Sequence, residues 1–168
     1  LVQNSLLSTP HTDTYLEAFE KVCRQTEPSV VLIARTPTGR DVGPRIAFKL
    51  GVGVAQDCVE IAIDSVSRRV VATRPVYGGN ALAKVTFPQT NPQVVVLRTK
   101  IYEPLEPNSA RTGEAIPFQV DLTPPIIKTI ETVKRESKGV RLEDATIVIS
   151  GGRGLGGPEP FQMLEDLA

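Results

Sequence analysis

The chain has 168 residues, with nineteen Lys and Arg balanced by nineteen Asp and Glu. That length can bury one substantial core, or one domain and part of another, and the even charge gives no electrostatic case for nucleic acid or an anionic membrane. No apolar run approaches the ~20 residues of a membrane-spanning helix, and the two cysteines, Cys23 and Cys58, lack any CxxC partner for zinc or redox chemistry. Two lone thiols fit a reducing compartment, either cytosol or mitochondrial matrix.

In chain order, Thr14 and Glu17 have the spacing of a capping box and predict a helix start there. Tyr15, Phe19, Val22 and Cys23 recur at helical spacing as its buried stripe. Residues 30–34 (VVLIA) predict a strand of a parallel sheet covered on both faces. Residues 35–40 read as a loop and Asp41 as the cap of a helix, with Pro44 in its first turn and Gly51 at its end. Strands are then predicted at 59–64, 70–76, 81–86, 94–102 and 116–122, with turns at 65–69 and 78–80. Residues 103–114 have the Pro, Gly and polar content of a surface loop. The segment 126–138 is rich in Ile, Thr and Val, which favours strand over helix.

The run ATIVISGGRGLGG, at 145–157, carries the most chemistry. A β-branched strand at 146–149 is followed by a glycine loop with one Arg in its middle, Arg153, and then by an amphipathic helix. Glycine lets backbone approach a ligand closely, and Arg153 brings a fixed positive charge. Gly152, Gly154 and Gly157 match GxGxxG, the dinucleotide fingerprint. A Rossmann unit also needs an acidic ribose ligand ~20 residues further on, and Glu159, read as part of the helix's first turn, would face the pyrophosphate.

Hydrolytic chemistry finds no support. His11 is the single histidine and reads as a solvent-exposed side chain, so metal clusters with paired His and Ser-His-Asp triads are excluded. Asp13, Glu17 and Glu20 serve a helix start. Glu103 and Glu106 lie among prolines with nothing to order them as a pair. Gly78 and Gly79 read as a turn. The 36–40 loop, with Thr, Gly and Arg, could hold a phosphate but reads as structural. No catalytic or metal-ligating residue is assigned.

The glycine–arginine run, RPVYGGNALA at 74–83 and TGRDVGPRIAFKLG at 38–51 together resemble the alpha subunit of electron transfer flavoproteins across nearly the whole chain. The resemblance implies an α/β fold: a three-layer domain over 1–140, with a largely parallel sheet and an added antiparallel hairpin region. The first strand, loop and helix of a second, FAD-binding α/β domain follow over 141–168. It also implies that the opening elements of the first domain and most of the FAD domain lie outside this chain.

By the same resemblance the intact subunit holds one FAD and pairs with a beta subunit. It takes electrons from acyl-CoA or other flavin dehydrogenases and passes them to a quinone oxidoreductase, as a carrier rather than a substrate-converting enzyme. Arg153, Gly152 and Gly154 become the cofactor-binding residues, Arg153 beside the flavin ring, where its charge favours the anionic, one-electron-reduced form. A unit charge ~4 Å away at an effective dielectric of ~20 contributes roughly 4 kcal/mol, at most about 170 mV in potential. Residues 1–168 alone are not expected to retain FAD. The alternatives are a nucleotide- or partner-binding α/β module without redox activity, using the 36–40 loop, and a NAD-dependent oxidoreductase resting on GxGxxG.

Overall fold

The computed structural model describes residues 1–133 and 142–168. The chain divides into two compact units, Leu1–Lys128 and Thr129–Ala168.

The first unit is built around a parallel sheet. Its elements are α1 (Thr12–Thr26), β1 (Val30–Ala34), α2 (Pro37–Leu50), β2 (Val54–Cys58), β3 (Glu60–Ile63), β4 (Val70–Val76), β5 (Ala81–Thr86) and β6 (Gln93–Leu97). Strands β1, β6 and β2 form the parallel sheet in that order, and β3, β4 and β5 an antiparallel one. Side chains alternate between strand faces, so β6, buried along most of its length, serves two cores. Val94 and Val96 pack with Val31, Ile33, Leu16, Cys23, Ile46 and Ala47 under the two helices. Val95 packs on the opposite face with Ala55, Cys58, Val70, Ala72 and Phe87, beneath the antiparallel sheet. Helices, parallel sheet and antiparallel sheet are the three layers of this α/β fold.

The second sheet is tied to the first by a buried amide. The Val70 N–H donates to Gln93 Oε1 at 2.8 Å, and Gln93 Nε2 donates to the Ser29 carbonyl at 3.3 Å. Burial of β1 is one-sided: Val31 and Ile33 are covered, while Leu32 is 54% exposed.

Helix α2 approaches the sheet closely because two glycines face it. A Cβ on Gly39 would lie 2.0 Å from the Ala34 carbonyl oxygen, and one on Gly43 2.5 Å from Val96 Cγ2. The helix starts earlier than Asp41: the Thr36 hydroxyl accepts the Gly39 N–H at 3.0 Å and Pro37, with its pre-set φ, opens the first turn. Residues 37–40 are therefore helix, and Pro44 lies inside it. Gly51, at φ 69°, ends it as expected, donating to the Ala47 and Phe48 carbonyls.

The start of α1 also differs. Thr12 opens it with His11 as a half-buried cap residue. Thr14 is buried and its hydroxyl has no partner among the described residues, while Glu17 is drawn outward by Lys21 at 2.8 Å and the Thr123 N–H at 2.9 Å. The capping box is therefore not formed. Cys23 is in the core as expected, but Leu16 and Ala18 are buried more deeply than Tyr15.

The strands at 30–34, 70–76 and 81–86 stand where the sequence placed them, and the 59–64 strand is Glu60–Ile63. Strand β2 had no sequence signal strong enough to be read. The 94–102 strand stops at Leu97, level with the last residues of its two parallel neighbours, Ala34 and Cys58. Residues 116–122 form no strand; Phe118 makes one isolated bridge with Val2, and Pro117 lacks a ladder N–H.

The second unit contains the short turns Leu142–Asp144 and Arg153–Leu155 and the helix α3 (Phe161–Leu167). Among the described residues, neither the 126–138 nor the 146–149 segment forms a strand. Residues 126–133 are irregular, and 134–138 lie outside the described residues; 146–149 form a bend with Ile147 80% exposed. An apolar β-branched run becomes a strand only with a partner ladder, and none pairs with these segments among the described residues.

Candidate functional site

The glycine–arginine loop is organised by which glycines face protein and which do not. A Cβ on Gly151 would lie 2.4 Å from Leu155 Cδ1 and 2.6 Å from Leu164 Cδ1, so Gly151 lets the loop fold against its own turn and α3. Gly152 and Gly154 have nothing within 4 Å of a Cβ position. Their bare sides face open space, where a ligand could come against the backbone. Gly156, at φ 80°, takes the left-handed conformation that closes the Arg153–Leu155 turn, its N–H donating to the Arg153 carbonyl.

Gly152, Arg153, Gly156, Gly157 and Phe161 line one concave surface. Arg153 is exposed and makes no ion pair among the described residues. Glu159 does not pair with it, and lies just before α3 rather than in its first turn. Among the described residues, the guanidinium charge is thus uncompensated and available to an anionic group. Phe161 and Gly156 were not singled out from sequence. The signal was present: Phe161 follows Pro160, a helix-start position, and Gly156 ends a glycine-spaced turn.

The remaining candidates are not drawn together. His11, Asp13 and Arg45 border a separate depression beside the start of α1. Glu103 and Glu106 are exposed in irregular chain. Cys23 and Cys58 are free and buried, and burial pushes both thiols up. No metal-ligating group of His, Cys, Asp and Glu occurs among the described residues, and none of their helices is long and apolar enough to cross a membrane.

A three-layer α/β unit followed by an open glycine–arginine loop defines the chain as an α/β protein. Residues 1–123 match the electron transfer flavoprotein domain, and the chain belongs to that family. It is 36% identical over its whole length to the electron transfer flavoprotein subunit alpha of Thermoanaerobacterium thermosaccharolyticum, covering 51% of that protein. It is 33% identical to the subunit alpha of Megasphaera elsdenii over 90% of the chain and 46% of that protein. It is 34% identical to Protein FixB of Azotobacter vinelandii over the full chain and 48% of that protein. The chain spans about half the length of the curated relatives it matches.

Proposed function

We propose that this chain acts as the alpha-subunit part of an electron transfer flavoprotein that holds one FAD and pairs with a beta subunit. In this reading the protein accepts electrons from flavin dehydrogenases, such as those acting on acyl-CoA, and delivers them to a quinone oxidoreductase. It works in the cytoplasm of a prokaryote or in the mitochondrial matrix. Family membership and the relatives named as alpha subunits support the carrier role. The observation that carries the site is Arg153, exposed and unpaired among the described residues, between two glycines whose bare faces are open.

These residues fit a flat, anionic cofactor. Bound FAD supplies the one- and two-electron chemistry; the protein supplies binding, orientation and electrostatics. Gly152 and Gly154 let the main chain lie close to the cofactor. Arg153 cannot lose its proton near neutral pH and holds a permanent positive charge on the loop. Phe161 contributes an apolar wall to the same surface.

The test is an anaerobic redox titration of the full-length subunit assembled with its partner and FAD. Arg153→Ala should lower the potential for the first electron, by no more than about 170 mV. An unchanged potential would remove Arg153 from the mechanism.

A further inference from the structure

Arg74 opens the RPVYGGNALA segment, and the flavin reading gives it no task. It lies on β4 at the same alternation as Val70 and Ala72, the residues that pack toward the parallel sheet. Its Nε is shut off from solvent, and among the described residues Arg74 has neither a hydrogen-bond partner for that atom nor an ion pair. A guanidinium in that state has donors left to satisfy.

Two further arginines stand nearby, each fixed by its main chain. The Arg35 N–H donates to the Leu97 carbonyl at 2.7 Å and the Arg98 N–H to the Cys58 carbonyl at 2.9 Å. These bonds place both side chains just beyond the carboxyl ends of β1 and β6, where open α/β sheets bind ligands. Both converge on Asp57. Arg98 donates Nε and Nη2 to its two oxygens at 2.6 and 2.9 Å, and Arg35 Nε lies 3.2 Å from Oδ1. Asp57 also feels the charge of Arg74. It sits at φ 61°, where the register of β2 shifts between Ala55 and Cys58. Such bulges re-aim side chains beside functional sites.

Two guanidinium groups thus grip one carboxylate at the sheet edge, and a third, Arg74 on β4, bears on it by charge alone. Each guanidinium has five N–H donors; Arg98 uses two on Asp57, Arg35 meets it as an ion pair, and Arg74 uses none on it. The side chains of Arg35 and Arg98 are 40% and 45% exposed, so a small solute can reach them. A phosphomonoester, with a charge of roughly −1.5 to −2 near pH 7, balances the excess better than a single carboxylate.

We propose that the carboxyl edge of the parallel sheet binds the phosphate group of a small soluble anion through Arg74, Arg98 and Arg35. Asp57 is the internal counter-ion that holds the Arg98 and Arg35 guanidinium groups in place. None of these residues belongs to the glycine–arginine loop.

Calorimetric titration of the full chain with inorganic phosphate and with AMP, at constant ionic strength, tests it. Saturable binding is expected, weakened about tenfold or more in Arg74→Gln, the size expected for losing a charge-assisted hydrogen bond. Arg68→Gln, on the exposed turn between β3 and β4, should bind as the parent does. Should Arg74→Gln fail to fold, Arg35→Gln, which loses a single contact, is expected to weaken binding in the same direction. Tighter binding of AMP identifies a nucleotide-like source and equal binding a free phosphate; either result supports the site. No saturable binding of either anion, equally tight binding of acetate, or unchanged affinity in the foldable arginine variant overturns it.

Discussion

Asp57 and Arg98 form a two-pronged pair, with Nε to Oδ1 at 2.6 Å and Nη2 to Oδ2 at 2.9 Å, across the ends of adjacent parallel strands. The Arg98 guanidinium, aided by Arg35 and Arg74, holds the Asp57 carboxyl below its ordinary range. A depressed folded-state pKa contributes stability above the unfolded value that is lost as pH falls through the folded one. The chain should therefore lose stability on acidification below about pH 4. Asp57→Asn, which tolerates the left-handed backbone, should flatten that acid limb. Urea midpoints of the two proteins between about pH 6 and pH 3 check it; parallel curves would contradict it. Because the pair is partly exposed, the effect at neutral pH should stay under about 1 kcal/mol.

Gly39 and Gly43 are required by contact rather than by backbone conformation. Gly39→Ala puts a methyl 2.0 Å from a carbonyl oxygen, and Gly43→Ala puts one 2.5 Å from Val96. Each should cost about 1–3 kcal/mol or more by forcing α2 off the sheet. Gly53→Ala, with open space around it, is the control. Denaturant unfolding should rank the first two well below the third.

Gln93 should resist apolar replacement although it lies in a core strand. Gln93→Leu leaves the buried Val70 N–H without its acceptor, at a cost of about 1–3 kcal/mol. Hydrogen exchange at Val70 should accelerate at the same time. An unaltered midpoint and exchange rate would show that the two sheets do not depend on this amide.

Thr14 predicts the opposite sign. Its buried hydroxyl has no partner among the described residues, so Thr14→Val keeps the shape and removes an unsatisfied polar atom. Stability should be unchanged or rise by up to about 1 kcal/mol, since replacing an unpaired buried polar group costs nothing in lost bonds. A clear drop in thermal midpoint would mean that the hydroxyl is satisfied in solution.

Residues 1–168, purified alone, should not hold FAD after gel filtration. The chain covers about half of each relative's length, and the Gly152–Arg153–Gly154 loop is open on its outer side. Stoichiometric flavin absorbance co-eluting with the chain would refute this.

What was legible in the sequence was local. Alternating and continuous apolar runs located β1, β4 and β5, and Gly51 marked a helix end, because side-chain periodicity and positive φ are properties of a few consecutive residues. Strand β2, VAQDC, was not legible: its Gln and Asp dilute the apolar signal, and it is a strand because Ala55 and Cys58 meet Val95 and the second sheet. The failures at 126–133 and 146–149 have the converse cause, β-prone residues with no ladder to join. At the loop, the glycine pattern and Arg153 were visible as chemistry, but Gly151 as a packing glycine and Phe161 as a wall were not.

The chain's order of residues determined by itself which segments could be helix or strand, where backbone must bend, and the family to which the whole is kin. The tertiary structure alone decided that Arg35 and Arg98 meet at one aspartate and that Gln93 bonds to a strand of another sheet. Those pairings join residues far apart in sequence, and only closure of the core around β6 brings them within hydrogen-bonding reach.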